Sequence, residues 1–140
     1  MHVPFFTKRL HYGLLALLEL AKVYQAGGHV QMKAIASTHE IPEKFLVQVL
    51  LALRRGGFVS TVRGAKGGYK LAKPPSEIKV KDVAELLDGP PVAVENAGGP
   101  LAVVNLWKRV ERGVGELLEV TLEEILFEDR RLSGRMFYQI

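Results

Sequence analysis

The chain of 140 residues contains no cysteine. Without thiols it forms no disulfide and offers no thiolate ligand to zinc or to an iron–sulfur cluster, so we expect no cofactor of that kind. Its four histidines, His2, His11, His29 and His39, are spread over separate segments, and no two have the HxxxH spacing of a metal site. No serine or carboxylate stands near them at a spacing that predicts a shared catalytic site. We therefore predict that the protein is not an enzyme.

Long apolar runs are also missing. No segment approaches the roughly 18 apolar residues of a membrane-spanning helix, and the first thirteen residues lack the apolar core of a signal peptide. We expect a cytoplasmic protein and no membrane partner. Because 48% of the residues are hydrophobic, the chain is long enough for one well-buried core but too short for two ordinary domains.

Charge is distributed unevenly along the chain. Residues 1–81 hold thirteen Lys and Arg against four Glu, a net charge of +9, whereas residues 82–140 hold six against eleven acidic residues, a net charge of −5. The first half is therefore typical of a segment that binds a polyanion. A solvated basic face without a partner is the alternative.

The spacing of apolar residues predicts three helices in this first half. Thr7 is a candidate N-cap for a helix that reaches about Gln25, and a short helix over 32–38 is followed by a tight turn. Pro42 then begins the third helix, which ends before Gly56 and Gly57 and is the second helix of the motif. The side chains that we expect this helix to bury are Phe45, Leu46, Val49, Leu50 and Leu53. A short helix, a tight turn and a second helix form a helix-turn-helix.

A β-hairpin is predicted directly after that motif. Residues 58–62 and 69–72 alternate between apolar and polar side chains, and a basic, glycine-rich turn joins them. A phosphate-binding loop is set aside, because Gly68 is followed by Tyr69 and a strand pattern instead of the Lys-Ser/Thr and helix that such a loop needs. The predicted fold class is mainly α with a small β-hairpin wing, a winged helix-turn-helix.

Duplex DNA is the partner that this layout predicts, so we expect the cytoplasmic protein to be associated with the nucleoid. Helix-turn-helix proteins place the N-terminal half of their second helix in the major groove, where Gln48 is the best candidate for a contact to adenine and Lys44 for a contact to phosphate or guanine. In the wing, Arg63 suits a narrow minor groove and Lys66 the backbone. Ordinary solvated residues are the alternative for each. The full predicted contact set is Lys33, Lys44, Val47, Gln48, Arg54, Arg55, Arg63, Gly64, Lys66 and Lys70.

The second half carries an apolar stripe at helical spacing, formed by Val103, Trp107, Val110, Val114 and Leu117. It predicts either a long dimerisation helix or a helix that packs on its own domain. Thr121 and Glu124 have the spacing of a capping box that opens a short helix over 122–127. The predicted organisation is a DNA-binding domain over 1–88, a linker over 89–100, and a dimerisation helix with a C-terminal tail over 101–140.

A family resemblance is carried by the helix-turn-helix and by three further segments, HYGLLALLELA before it and RGAKGGYKLAKPP and LWKRVERGVGELLEVTLEEIL after it. With these segments the chain closely resembles the Rrf-two family of bacterial winged-helix regulators, of IscR, NsrR and CymR type. The resemblance covers nearly the whole chain. It implies a homodimeric transcription regulator, usually a repressor, that binds inverted repeats. Gln48 matches a glutamine that reads a base, and Arg63 matches the wing arginine that enters the minor groove.

Two departures from the family pattern stand out. Val47 occupies a position where the family often has glutamate, so the operator of a relative does not transfer to this chain. The cluster-binding members have three cysteines after the position of Pro91, and here there are none. The chain is therefore most similar to the cysteine-free, CymR-like branch.

That branch implies a role in cysteine metabolism and a partner enzyme, cysteine synthase. The last residues are apolar, and the resemblance implies that a tail including Phe137, Tyr138 and Ile140 inserts its terminal carboxylate into the active site of that enzyme. Docking of the tail on its own domain or on the dimer mate is the alternative. A rival function for the whole chain is a winged-helix adaptor that contacts proteins and has no DNA operator.

Overall fold

A computed structural model of the chain describes residues 7–89 and 98–138, with side chains up to residue 134. The helices are α1 (Lys8–Lys22), α2 (Met32–His39), α3 (Glu43–Arg55), α4 (Val80–Asp88), α5 (Leu101–Leu117) and α6 (Leu122–Tyr138), with a short 3-10 turn at Pro75–Glu77. Strands β1 (Val59–Val62) and β2 (Gly68–Leu71) form one antiparallel hairpin. The predicted fold class, mainly helical with a small hairpin wing, is confirmed.

Several predictions concern residues that are not described. Most of the proposed linker, residues 90–97, lies outside the described ranges, as do His2 and Ile140. The side chains of Phe137 and Tyr138 are likewise not described. The helices of the described ranges include none that is long and apolar enough to cross a membrane.

Helix α1 begins at the predicted cap. The Thr7 hydroxyl oxygen accepts a hydrogen bond from the Leu10 amide at 3.1 Å, and the same hydroxyl donates to the Asp88 carboxylate at 2.8 Å. The N-terminus of α1 is thereby tied to the C-terminus of α4. The helix ends at Lys22, three residues earlier than predicted, because the next amides turn back to form tight i−3 hydrogen bonds.

The helix-turn-helix consists of α2, a three-residue turn and α3. Glu40 adopts a left-handed conformation (φ 53°), and the following amide of Ile41 donates to the Ala36 carbonyl at 2.9 Å. This arrangement ends α2 and directs the buried Ile41 side chain into the core. Pro42 precedes the first helical residue of α3, where its missing N–H costs nothing.

Four of the five side chains predicted to be buried on α3 are fully buried: Leu46, Val49, Leu50 and Leu53. The prediction for Phe45 was wrong, since 37% of this residue is exposed. Phe45 lies at the margin of the apolar stripe, where its ring meets Tyr12 of α1 edge to face at 5.3 Å. An aromatic contact between helices has replaced full burial.

The core extends into the C-terminal part of the chain. Leu122 and Leu126 of α6 are buried with the residues of α1 and α3, and the amide of Leu122 donates to the Ile78 carbonyl at 2.8 Å. The cap of α6 is as predicted, because the Glu124 amide donates to the Thr121 hydroxyl at 3.1 Å. The helix itself was predicted too short. It continues to Tyr138, supported by an ion pair of Arg131 with Glu128 one turn before it.

Glu19 of α1 accepts hydrogen bonds from His39 Nε2 at 2.9 Å and from Lys22 Nζ at 3.0 Å, which ties α1 to the end of α2. Burial alone would raise the pKa of the Glu19 carboxyl, but these two partners outweigh it and hold the pKa below its ordinary value. The ionised form is therefore favoured in the folded protein.

We expect Glu19→Gln to lower the free energy of unfolding at pH 7. The stabilisation by a carboxyl with a depressed pKa is complete above its unfolded pKa, about 4.3, and disappears as the pH falls through the folded pKa. The deficit should thus be smaller at about pH 3 than at pH 7 in urea unfolding measured at both pH values, provided that the protein remains folded without urea at the lower one. The exposed Glu85→Gln is the matched control. An equal deficit at both pH values would contradict the assignment.

Candidate nucleic-acid interface

The outer face of α3 presents the predicted base-reading residues to solvent. Lys44, Val47, Gln48 and Arg55 are all exposed and recur at the three- and four-residue spacing of one helical face, opposite the buried leucines. Arg54 is exposed at the edge of that face. The core packing of α3 therefore determines which of its side chains are available to a partner.

Leu51 shares this face and was missed by the sequence analysis. It is 42% exposed, close to the 45% of Val47. Leu51 follows Lys44 by seven residues, which is two helical turns and predicts the same face. Its apolar side chain, however, is typical of a core residue. The outer face of α3 thus combines cations, one amide and two apolar side chains.

The wing is built on four residue pairs between β1 and β2, from Val59 opposite Leu71 to Val62 opposite Gly68. Beyond the last pair, residues 63–67 form the tip, which closes with a hydrogen bond from the Gly67 amide to the Gly64 carbonyl at 3.0 Å. Gly64 has a φ of 112°, a conformation that glycine adopts readily and other residues rarely do, as expected for a glycine-rich turn. Arg63, Lys66 and Lys70 are all exposed.

The base of the wing pairs with the segment before α2. Val30 and Tyr69 exchange two backbone hydrogen bonds, of 2.9 and 2.8 Å. Gly68 makes this approach possible, because a Cβ at that position would lie 2.5 Å from the Val30 carbonyl oxygen. In addition, His29 Nε2 lies 2.7 Å from the Lys66 carbonyl oxygen. His29 is exposed, and nothing near it in sequence indicates a partner 37 residues away.

The cations of this region are available to phosphate. Within the described ranges no ion pair involves any of the predicted DNA-contacting cations, namely Lys33, Lys44, Arg54, Arg55, Arg63, Lys66 and Lys70. Lys79 and Lys81, by contrast, both pair with Glu119. When exposed Lys and Arg side chains neutralise DNA phosphates, counterions condensed on the DNA are released, and this release supplies a large share of the affinity for DNA.

The apolar stripe of α5 is not covered by the described part of the chain. No side chain of α5 is buried; Val103, Trp107 and Val110 are 45%, 37% and 37% exposed, and Leu117 is 79% exposed. Val114 is half-buried. The alternative in which this helix packs on its own domain is therefore wrong for the described residues.

Known proteins share both this sequence pattern and this fold. The transcriptional regulator CymR of Bacillus subtilis (strain 168) is 38% identical over 131 residues, which cover 91% of this chain and 94% of CymR. A structure of CymR, the global cysteine regulator of B. subtilis, superposes with a TM-score of 0.79 at 35% identity over 91% of this chain and 98% of that one. The IscR structure from T. potens gives a TM-score of 0.77 at 32% identity, covering 92% of this chain and 88% of that one.

The profile of the Rrf2 (Rrf-two) family, described as an iron-dependent transcriptional regulator, matches residues 6–128. The residues present do not fit an iron site: the chain has no cysteine, and among its described side chains no group of three or more His, Asp or Glu is placed to hold a metal ion. The length of the match, the winged helix and the relatives agree, and the chain belongs to the Rrf2 family of DNA-binding transcriptional regulators, with CymR-type proteins among its relatives.

Proposed function

We propose that the protein is a homodimeric repressor that binds an inverted repeat in duplex DNA through α3 and the wing. The observation that carries this proposal is the exposed face of α3, where Gln48 stands between cations that have no ion-pair partner among the described residues. An exposed amide can donate to and accept from the same adenine edge, while the cations bind the flanking phosphates.

Val47 gives the proposed reading surface a further property. Its exposed isopropyl group neither donates nor accepts a hydrogen bond, but it can contact the 5-methyl group of thymine in the major groove. Glutamate, which the family often has at this position, would instead favour the amino group of cytosine. We therefore propose that the operator differs from those of glutamate-containing relatives at the base facing Val47.

Arg63 and Lys66 supply the wing contacts in this proposal. Both are exposed at the glycine-rich tip, whose small residues allow the backbone to approach DNA closely. A guanidinium is attracted by the strong negative potential of a narrow minor groove, and an ammonium group pairs with a backbone phosphate.

The α5 stripe supports the dimer. Full burial of a large apolar side chain contributes about 1.5–3 kcal/mol, and a part of this remains available at Val103, Trp107 and Val110, which are 37–45% exposed. Their exposed area favours an apolar partner surface. A two-fold axis brings the same patch of two copies together and relates their α3 helices by that axis. Two-fold related reading helices match an inverted repeat.

The operator can be identified by selecting bound duplexes from a random pool at physiological salt. We expect an inverted repeat, and we expect Gln48→Ala to lose about 1–3 kcal/mol of discrimination at one base of each half-site. Arg63→Ala should weaken binding, whereas Arg130→Ala, which removes an exposed arginine of α6, should not. Sequence-blind binding or no enrichment would contradict the proposal and favour the protein-binding adaptor.

The dimer is tested by a single charge in the stripe. Val110→Glu should convert the dimer to a monomer in analytical ultracentrifugation, because it places a carboxylate against an apolar surface at a cost of several kcal/mol. Asn105→Glu introduces the same charge on the opposite, exposed face of α5 and should leave the dimer intact. A wild-type protein that sediments as a monomer would refute the proposed assembly.

We further propose that the repressor acts on genes of cysteine or sulfur metabolism and that its tail, with Phe137, Tyr138 and Ile140, binds cysteine synthase. Similarity to the global cysteine regulator of B. subtilis supports this assignment, as does the apolar composition of the tail. Deletion of Gln139 and Ile140 should abolish co-purification with cysteine synthase, while Gln139→Ala should preserve it. Unchanged capture by the deleted protein would refute the proposed contact.

A further inference from the structure

The wing tip is linked to the body of the protein by one side chain. His29 Nε2 lies 2.7 Å from the carbonyl oxygen of Lys66, which occupies the third position of the turn Gly64–Gly67. A carbonyl oxygen only accepts, so the histidine nitrogen must donate. Both the neutral Nε2–H tautomer and the imidazolium have that proton, and the contact is therefore available in either charge state.

The surrounding backbone bonds do not reach as far as the tip. The hairpin ladder ends at the Val62–Gly68 pair, and the exchange between Val30 and Tyr69 holds only the base of the wing. The tip closes on itself through Gly67 and Gly64. Among the described residues, the bond from His29 is the only hydrogen bond between residues 63–67 and the rest of the chain outside the hairpin.

We infer that His29 is a positioning residue for DNA binding, whose hydrogen bond to Lys66 holds the wing tip in the conformation that presents Arg63 and Lys66 to DNA. The inference rests on the proposed function. A two-stranded hairpin with a glycine-rich tip is marginally ordered by itself, and any order that it lacks must be gained when DNA binds. A tip that is already held loses less entropy on binding.

The size of the effect follows from the contact. The contact is exposed to solvent, and one hydrogen bond changes an equilibrium by about two- to tenfold. In this inference His29 does not touch DNA. It changes the affinity for DNA only through the position of the wing cations, Arg63 and Lys66. Its loss should be measurable when those cations bind DNA and absent when they have been removed.

The test compares two substitutions of His29 in two backgrounds. His29→Phe keeps a ring but loses the donor, and His29→Gln keeps an N–H donor at a similar reach. Affinity for the selected duplex should fall about two- to tenfold with His29→Phe and be largely retained with His29→Gln. In the background Arg63→Ala/Lys66→Ala, His29→Phe should cause no further loss. This non-additivity separates positioning from a general effect on the fold.

A second measurement uses the free protein. Backbone ¹⁵N relaxation of residues 64–67 should show greater motion in His29→Phe than in the unchanged protein, with an unaltered thermal midpoint. Absence of DNA binding by the unchanged protein would overturn the proposed function, and relaxation alone would then decide whether His29 holds the tip. The inference is overturned if the tip amides do not change, if affinity is unaffected, or if the loss persists without the wing cations.

Discussion

Burial of one face of α3 is the constraint on which the rest of the structure depends. Leu46, Val49, Leu50 and Leu53 are completely enclosed, and a helix whose inner face is fixed in a close-packed core has no rotational freedom left for its outer face. The exposure of Lys44, Val47 and Gln48 is a direct consequence. The same packing extends to α6, since Leu122 and Leu126 join the core.

The wing depends on a different kind of constraint, close backbone approach. Gly68 allows Val30 and Tyr69 to exchange two hydrogen bonds, and at Gly67 a side chain would come within 2.0 Å of the Val62 carbonyl oxygen. Gly67 thus allows the turn to close within the hairpin, and Gly68 allows the hairpin of four residue pairs to pair with the segment before α2. His29 adds a contact at the tip. The base of the wing is therefore held by backbone hydrogen bonds and its tip by a side-chain hydrogen bond.

Charge and apolar surface are divided between two regions of the chain. Cations without ion-pair partners among the described residues are carried by α2, α3 and the wing, whereas the exposed apolar stripe belongs to α5. Phosphate binding needs hydrated, accessible cations, and stable self-association needs apolar area. Because the two lie on separate elements, a polyanion bound to the cations and an apolar partner bound to α5 would not compete for the same side chains.

Features that depend on neighbours in sequence were predictable from it. The cap at Thr7, the positions of Pro42 and Gly64, the alternation of the hairpin and the spacing of the α3 face all reflect local backbone and side-chain preferences. The candidate DNA-contacting residues follow from that spacing. The tertiary structure decided the rest: the partial exposure of Phe45 against Tyr12, the exposure of the α5 stripe, the part of α6 in the core, and the contact of His29 with Lys66. Each of these depends on which distant surfaces come together in the fold, and the local periodicity of a sequence carries no record of that.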